Sequence, residues 1–252
     1  MIPRHLFVVG AQRSGTTYLY HILNNHPEIE MNHPVKPEPK FFLKPDAEHR
    51  LAEYHKTFFS NPSVKYWGDK SASYLEHEEV AQRISKCFPD AIILFTFRNP
   101  IERAISHFRY SVDNKVETLR LENVLEDPSL QFREFDRSKI SVSPFLYLER
   151  SKYVLYLDGF AKYFPKEQMK VLVFEDFVGN EVAVKELYRY LKVHEDFVPD
   201  SINQTINFAS EQVTPPSPEL RSKLARHFAE SNAALAERYG VNINNWAKVP
   251  VS

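Results

Sequence analysis

The chain predicts an α/β fold, a central parallel sheet flanked by helices, on three observations. Short and almost wholly apolar runs recur along the 252 residues, each followed by a polar turn and a helical stretch. The clearest of them, residues 91–97, reads Ala-Ile-Ile-Leu-Phe-Thr-Phe, as a strand covered on both faces should. A hydrophobic share of 43%, with 19 Phe and 13 Tyr, is enough to fill a sizeable core with bulky aromatics. The length suits one large domain, and residues 1–252 are read as a single domain.

The elements follow in order. Residues 5–10 form a first strand, and a loop leads to a helix over 16–25. A weak strand is expected at 29–32. Three prolines exclude regular helix from 33–39. Residues 47–59 read as helix, 64–68 as strand and 78–88 as helix up to Pro89. After the 91–97 strand a helix starts sharply: Asn99 caps it, Pro100 suits its first position and Glu102 completes a capping box. Residues 113–145 are mostly polar and irregular, with room for one short helix. A helix over 151–164 and a strand over 169–174 come next. Val184, Leu187, Tyr188 and Leu191 then mark one face of a helix over 180–191. Beyond Pro215-Pro216, Ser217 and Pro218 open a last helix that runs to Tyr239 and stops at Gly240.

With 32 basic and 33 acidic residues the net charge is −1, so no global field draws the protein to nucleic acid or an anionic membrane. Any bound anion must be caught locally. The single cysteine, Cys87, excludes an intrachain disulfide. The apolar stretch 6–10 is too short for a leader, and no run approaches the roughly 20 apolar residues of a membrane span. The expectation is a soluble, cytoplasmic protein. The histidines lack paired ligand spacing and one thiol cannot build a metal site, so no metal is expected. Nothing in the chain indicates an oligomeric state.

The first strand ends in Gly10-Ala11-Gln12-Arg13-Ser14-Gly15-Thr16-Thr17. A strand, a Gly-bounded loop and a helix start form an anion site, because backbone N–H groups and the helix dipole converge there. The glycines keep the spacing of a triphosphate loop, but Thr16 stands where the γ-phosphate lysine belongs. The basic residue, Arg13, comes three positions earlier. That arrangement is poorly equipped for ATP hydrolysis and suits the bridging oxygen of a phosphosulfate, with Thr16 and Thr17 offering hydroxyls. A second anion site is read at the end of the 91–97 strand. There Arg98 and Ser106, the latter about two turns along the capped helix, are able to grip one phosphate. Each of these residues alone also fits an ordinary surface role. Together they point to a nucleotide with phosphates at two ends.

The chain resembles the sulfotransferases that use 3′-phosphoadenosine-5′-phosphosulfate (PAPS). It is most similar to their carbohydrate branch, which includes the N-sulfotransferase domain of heparan-sulfate-modifying enzymes and small bacterial relatives. The likeness rests on the Gln-Arg-Ser-Gly-Thr-Thr loop, on Glu38-Pro39-Lys40-Phe41-Phe42, on Gly68-Asp69-Lys70-Ser71-Ala72-Ser73-Tyr74, and on Arg98-Asn99-Pro100-Ile101-Glu102-Arg103-Ala104-Ile105-Ser106-His107. It implies a P-loop-containing three-layer fold with about five parallel strands. It puts Gln12, Arg13, Ser14, Gly15, Thr16 and Thr17 on the 5′-phosphosulfate, and Arg98 and Ser106 on the 3′-phosphate. Glu38 falls at the catalytic base, with Arg13 stabilising the leaving phosphate and Lys70 assisting the sulfuryl group or acceptor. The donor is then PAPS, the nucleotide product is PAP, and no metal is required. Three departures stand out. Arg13 replaces a common Lys, Pro37 is inserted between Lys36 and Glu38, and the C-terminal Arg-Lys-Gly phosphate element of the phenol-type enzymes is missing.

A sugar hydroxyl or amine, on a glycan or glycolipid, is the first expectation for the acceptor, and a small-molecule natural product the alternative. His33 is a rival base, ranked below Glu38. Phe41, Phe42, Phe58 and Phe59 belong by default to the core. Two other function classes compete: a P-loop kinase, which Thr16 argues against, and a non-catalytic nucleotide-binding module.

Overall fold

The computed structural model describes residues 2–136, 138–203 and 214–246. Along the chain run β1 (Arg4–Gly10), α1 (Thr16–Asn24), β2 (Ile29–Met31), α2 (Leu51–Phe58), β3 (Tyr66–Lys70), α3 (Glu78–Cys87) and β4 (Ile92–Phe97). Then come α4 (Pro100–Asp113), α5 (Leu121–Glu126), α6 (Tyr153–Ala161), β5 (Met169–Val173), α7 (Phe174–Phe177), α8 (Glu181–Leu191) and α9 (Pro218–Tyr239). The chain divides into two compact units, residues 1–97 with 158–206 and residues 98–157 with 207–252.

The first unit holds a five-stranded sheet in the order β2-β3-β1-β4-β5, with every pairing parallel. Side chains alternate across a strand, so β1 serves both faces. Leu6 and Val8 join the α1 residues Leu19, Ile22 and Leu23 and the α8 residues Val184, Leu187 and Leu191 in one buried cluster. Phe7 turns the other way. Its ring meets Phe42 edge-on at 5.6 Å and lies 6.0 Å from Phe88, while Phe95 of β4 meets Phe160 at 5.4 Å. Burying each such side chain contributes about 1.5–3 kcal/mol. Helix, sheet and helix thus form three layers, as the apolar runs predict. Asn180 caps α8 by accepting from Val182 N and Ala183 N.

The second unit is helical. Ile101, Ala104, Ile105 and Phe108 of α4 pack with Leu121, Val124 and Leu125 of α5 and Leu220, Leu224 and Phe228 of α9. The sharp start of α4 is as read: Asn99 Oδ1 accepts from Ile101 N at 2.9 Å and Glu102 N at 3.4 Å. Such a cap is worth about 1 kcal/mol. Ser217 caps α9 and Gly240, at φ 65°, ends it. The irregular stretch after α4 is organised by the buried Glu117, which accepts from Tyr147 Oη at 2.8 Å, from the amides of Thr118 and Leu119, and from Arg133. The Arg133 guanidinium lies 4.0 Å above the Phe145 ring.

Several boundaries differ from the sequence reading. The helix expected over 47–59 is a 3₁₀ turn at Ala47–His49 followed by α2, with Arg50 between them bonded to Asp46 and Glu53. The strand expected at 64–68 is shifted two residues on. Glu28 O accepts from both Lys65 N and Tyr66 N at its start, and the ladder with β1 then runs on to Lys70. Two ionisable residues, Asp69 and Lys70, therefore lie in a fully buried strand. Phe174 opens α7 instead of ending β5. Among the described residues no helix is long and apolar enough to cross a membrane.

Candidate active site

At its carboxyl end β1 opens directly into the Gly-bounded loop. Its ladder with β4 shifts register between Val8 and Gly10, and Ala11 N donates to Thr96 O at 2.8 Å. The turn of the loop needs left-handed backbone at Arg13 (φ 68°) and Gly15 (φ 88°). Gly15 is also where α1 starts. A Cβ there would stand 2.8 Å from a Phe174 ring carbon, so the position excludes a side chain on two counts. No side chain caps α1, so its first amides remain available to an anion. Ser14 Oγ is buried and has no hydrogen-bond partner among the described residues. A phosphosulfate's oxygens would supply one, so the residues present fit such a group. Gln12, Arg13 and Thr17 are half-buried, and Thr16 is buried.

The second cluster forms at the carboxyl ends of β2 and β3. Glu38 Oε1 accepts from Lys70 Nζ at 2.6 Å, and Glu38 Oε2 accepts from Ala72 N at 3.1 Å. The Lys70 side chain is 2% exposed and the Glu38 side chain 17%, so the ion pair is sunk but still reaches solvent through the carboxylate. Asn32, fully buried, sets this geometry. Its Oδ1 accepts from Lys70 N at 2.9 Å, its Nδ2 donates to Pro34 O at 2.9 Å, and its own amide bonds Gly68 O. His21 of α1 lies within the field of Lys70. Burial lowers its pKa, and the nearby ammonium lowers it further.

Asp69 sits behind the pair, fully buried. Its Oδ1 accepts from Ser71 Oγ at 2.8 Å and its Oδ2 from Tyr54 Oη at 3.2 Å and Tyr74 Oη at 3.1 Å. Burial pushes its pKa up to about 7 against the pull of those three hydroxyls. The two clusters touch. A Cβ on Gly10 would meet Ala72 O at 3.0 Å and Leu75 Cβ at 2.8 Å, so the turn that binds Glu38 packs on the first residue of the phosphate loop.

The structure therefore brings Glu38, Lys70 and the start of the phosphate loop together. His33, the rival base, is exposed, and its amide bonds Phe58 O. Phe41 and Phe42 are core residues, packed with Tyr54 and Phe88. Arg98 and Ser106 belong to the second unit. Arg98 follows β4 directly, its carbonyl accepting from Tyr153 Oη at 2.8 Å, and Ser106 lies within α4. Asn32 and Asp69 were missed as organising residues. Asp69 stands inside the 68–74 motif, and Asn32 ends the weak strand expected at 29–32, but neither position signals a hydrogen-bonding role. Among the described residues no group of three or more His, Cys, Asp or Glu side chains is placed to hold a metal ion.

The three-layer parallel α/β fold, with a Gly-bounded loop at the carboxyl end of β1, is of the P-loop-containing type. The chain matches the sulfotransferase domain family over residues 3–231, and it belongs to that family. The bifunctional heparan sulfate N-deacetylase/N-sulfotransferase 1 of Mus musculus is 32% identical over 110 residues, which are 42% of this chain and 12% of that protein. The corresponding enzyme 3 of Homo sapiens is 34% identical over 115 residues, 43% of this chain and 13% of that one. The chain thus matches only a small part of these curated relatives. Among solved structures, a sulfotransferase from Alicyclobacillus acidocaldarius superposes with a TM-score of 0.80 at 27% identity, covering 98% of this chain and 100% of the other. The sulfotransferase domain from the curacin biosynthetic pathway shares the fold, with a TM-score of 0.55 at 16% identity and coverage of 94% and 97%.

Proposed function

We propose that this sulfotransferase takes its sulfuryl group from PAPS and delivers it to a hydroxyl or amine of a carbohydrate. The observation that carries the reading is the Glu38–Lys70 pair, 2.6 Å apart and tied through Ala72 to the turn beneath the phosphate loop. Glu38 removes the acceptor proton as the new O–S or N–S bond forms, and the sulfur–bridging-oxygen bond breaks. Arg13 and the first amides of α1 meet the charge that develops on the departing 5′-phosphate. Lys70 holds Glu38 in place and offers its ammonium to the sulfuryl oxygens.

Arg98 and Ser106 take the 3′-phosphate. In support, Arg98 directly follows β4 and Ser106 lies on α4, the capped helix that comes next. The carbohydrate acceptor is supported by the N-sulfotransferases among the relatives. The test is to incubate the enzyme with sulfur-labelled PAPS and a panel of oligosaccharides, glycolipids and small-molecule alcohols, and to identify products by mass spectrometry. Sulfated saccharide is the expected product. Label transferred only to small-molecule alcohols would overturn the carbohydrate assignment, and no transfer to any acceptor would overturn the enzyme reading.

A further inference from the structure

The segment carrying Glu38 is held from behind by side chains far away in sequence. Lys40 N donates to Ser71 Oγ at 2.9 Å, and Phe42 N donates to Tyr74 Oη at 3.1 Å. Both hydroxyls also reach Asp69, Ser71 at 2.8 Å and Tyr74 at 3.1 Å. A hydroxyl has one proton to give. Once Ser71 and Tyr74 donate to the ionised Asp69, a form that only accepts, each must turn lone pairs towards the backbone amides. Tyr54 of α2 makes a third donor to the same carboxylate. Asp69, Ser71 and Tyr74 are fully buried, so water cannot replace any member of the chain of bonds.

We infer that Asp69 is a positioning residue for the transfer reaction: by fixing the polarity of Ser71 and Tyr74 it locks the 38–42 segment, and with it the Glu38 carboxylate, in register with Lys70. This rests on the assignment of Glu38 as the base. Asp69 touches neither donor nor acceptor in this scheme. An amide in its place presents an N–H₂ to one side, so at least one hydroxyl must turn its proton away from position 69, and its bond with Lys40 N or Phe42 N loses its fixed polarity.

The test is Asp69→Asn, alone and in a Ser71→Ala/Tyr74→Phe background, followed by steady-state kinetics and site-resolved amide hydrogen exchange. Asp69→Asn is expected to lower kcat by about 10²-fold, as a displaced catalytic group does, with the KM for PAPS within about two-fold. The Lys40 and Phe42 amides should exchange faster while the β1 amides keep their protection. In the double-variant background Asp69→Asn should add less than about two-fold, because residues in one network are not additive. Wild-type kcat in Asp69→Asn, unchanged exchange at Lys40 and Phe42, or a full extra loss in that background would overturn the inference. If Asp69→Asn fails to fold, Ser71→Ala/Tyr74→Phe carries the test, with the same kinetic and exchange outcomes deciding. Failure of the base assignment reads differently: Glu38→Gln would then turn over normally, while the exchange result would stand by itself.

Discussion

The phosphate loop and the Glu38 loop leave the same end of one sheet, yet they are held by different means. The first is eight contiguous residues whose shape is set by left-handed backbone at Arg13 and Gly15 and which lead into a helix start with no side-chain cap. The second has no regular structure between β2 and the 3₁₀ turn at Phe41–Leu43. It is fastened by Lys70, Ser71, Ala72 and Tyr74, each 31–34 residues away. A loop whose shape is set by its backbone depends first on its glycines. A base loop built from side chains depends on each remote partner.

Variants that break this contrast rank by expected effect. Glu38→Gln should reduce kcat by about 10³-fold or more, within the range for loss of a positioned base, and leave PAP affinity within about two-fold. Initial rates with calorimetric titration check it, and parallel loss of both would make Glu38 structural. Arg13→Ala should cost about 10² in kcat through lost charge stabilisation while the Tm moves by less than about 2 °C. Comparing rates with a thermal melt separates the two. Gly15→Ala attacks the backbone itself. The φ of 88° and the 2.8 Å approach to Phe174 should together cost about 1–3 kcal/mol of stability, read by urea unfolding.

The smallest effect belongs to the wall behind the Glu38 loop. His5 is stacked 3.7 Å from Phe88, and its Nε2 lies 3.0 Å from His55 Nε2 of α2. Burial first, and the neighbouring His55 second, lowers its pKa to about 3. The unfolded chain regains the ordinary value near 6.5. Between about pH 6.5 and 3 the unfolded state therefore binds a proton that the native state refuses. The stability contributed by neutral His5 is complete above pH 6.5 and is lost as the pH falls through that window. His5→Phe should flatten the acid side of a Tm–pH curve. An unchanged slope would place the acid sensitivity elsewhere. Asp69, raised to about 7, acts in the opposite sense between about pH 4 and 7, so the comparison must be made between variants at each pH.

The same contrast explains what was legible in the sequence. Strands buried on both faces read as continuous apolar runs, which is why β1 and β4 stood out. Strand β3 ends in Asp69 and Lys70, two buried ionisable groups, and hydropathy therefore put it two residues early. The helix that periodicity alone would have continued breaks at Arg50, whose backbone (φ −121°, ψ 26°) leaves the helical region. The phosphate loop was visible because its physics is local and its glycine spacing records it. Glu38 was visible through its motif. Its bond to Lys70 and the supports from Asn32 and Asp69 were not, since no spacing encodes a contact across 30 or more residues.

The central claim is that one nucleotide is gripped at both of its phosphates, and a ligand–variant cycle tests it most directly. Titrate wild type and Arg98→Ala with PAP and with AMP, which lacks the 3′-phosphate. Wild type should prefer PAP by about 10–100-fold, the value of a charge-assisted contact, and Arg98→Ala should erase that preference while leaving AMP affinity unchanged. An Arg98→Ala enzyme that still favours PAP to the wild-type degree would contradict the account.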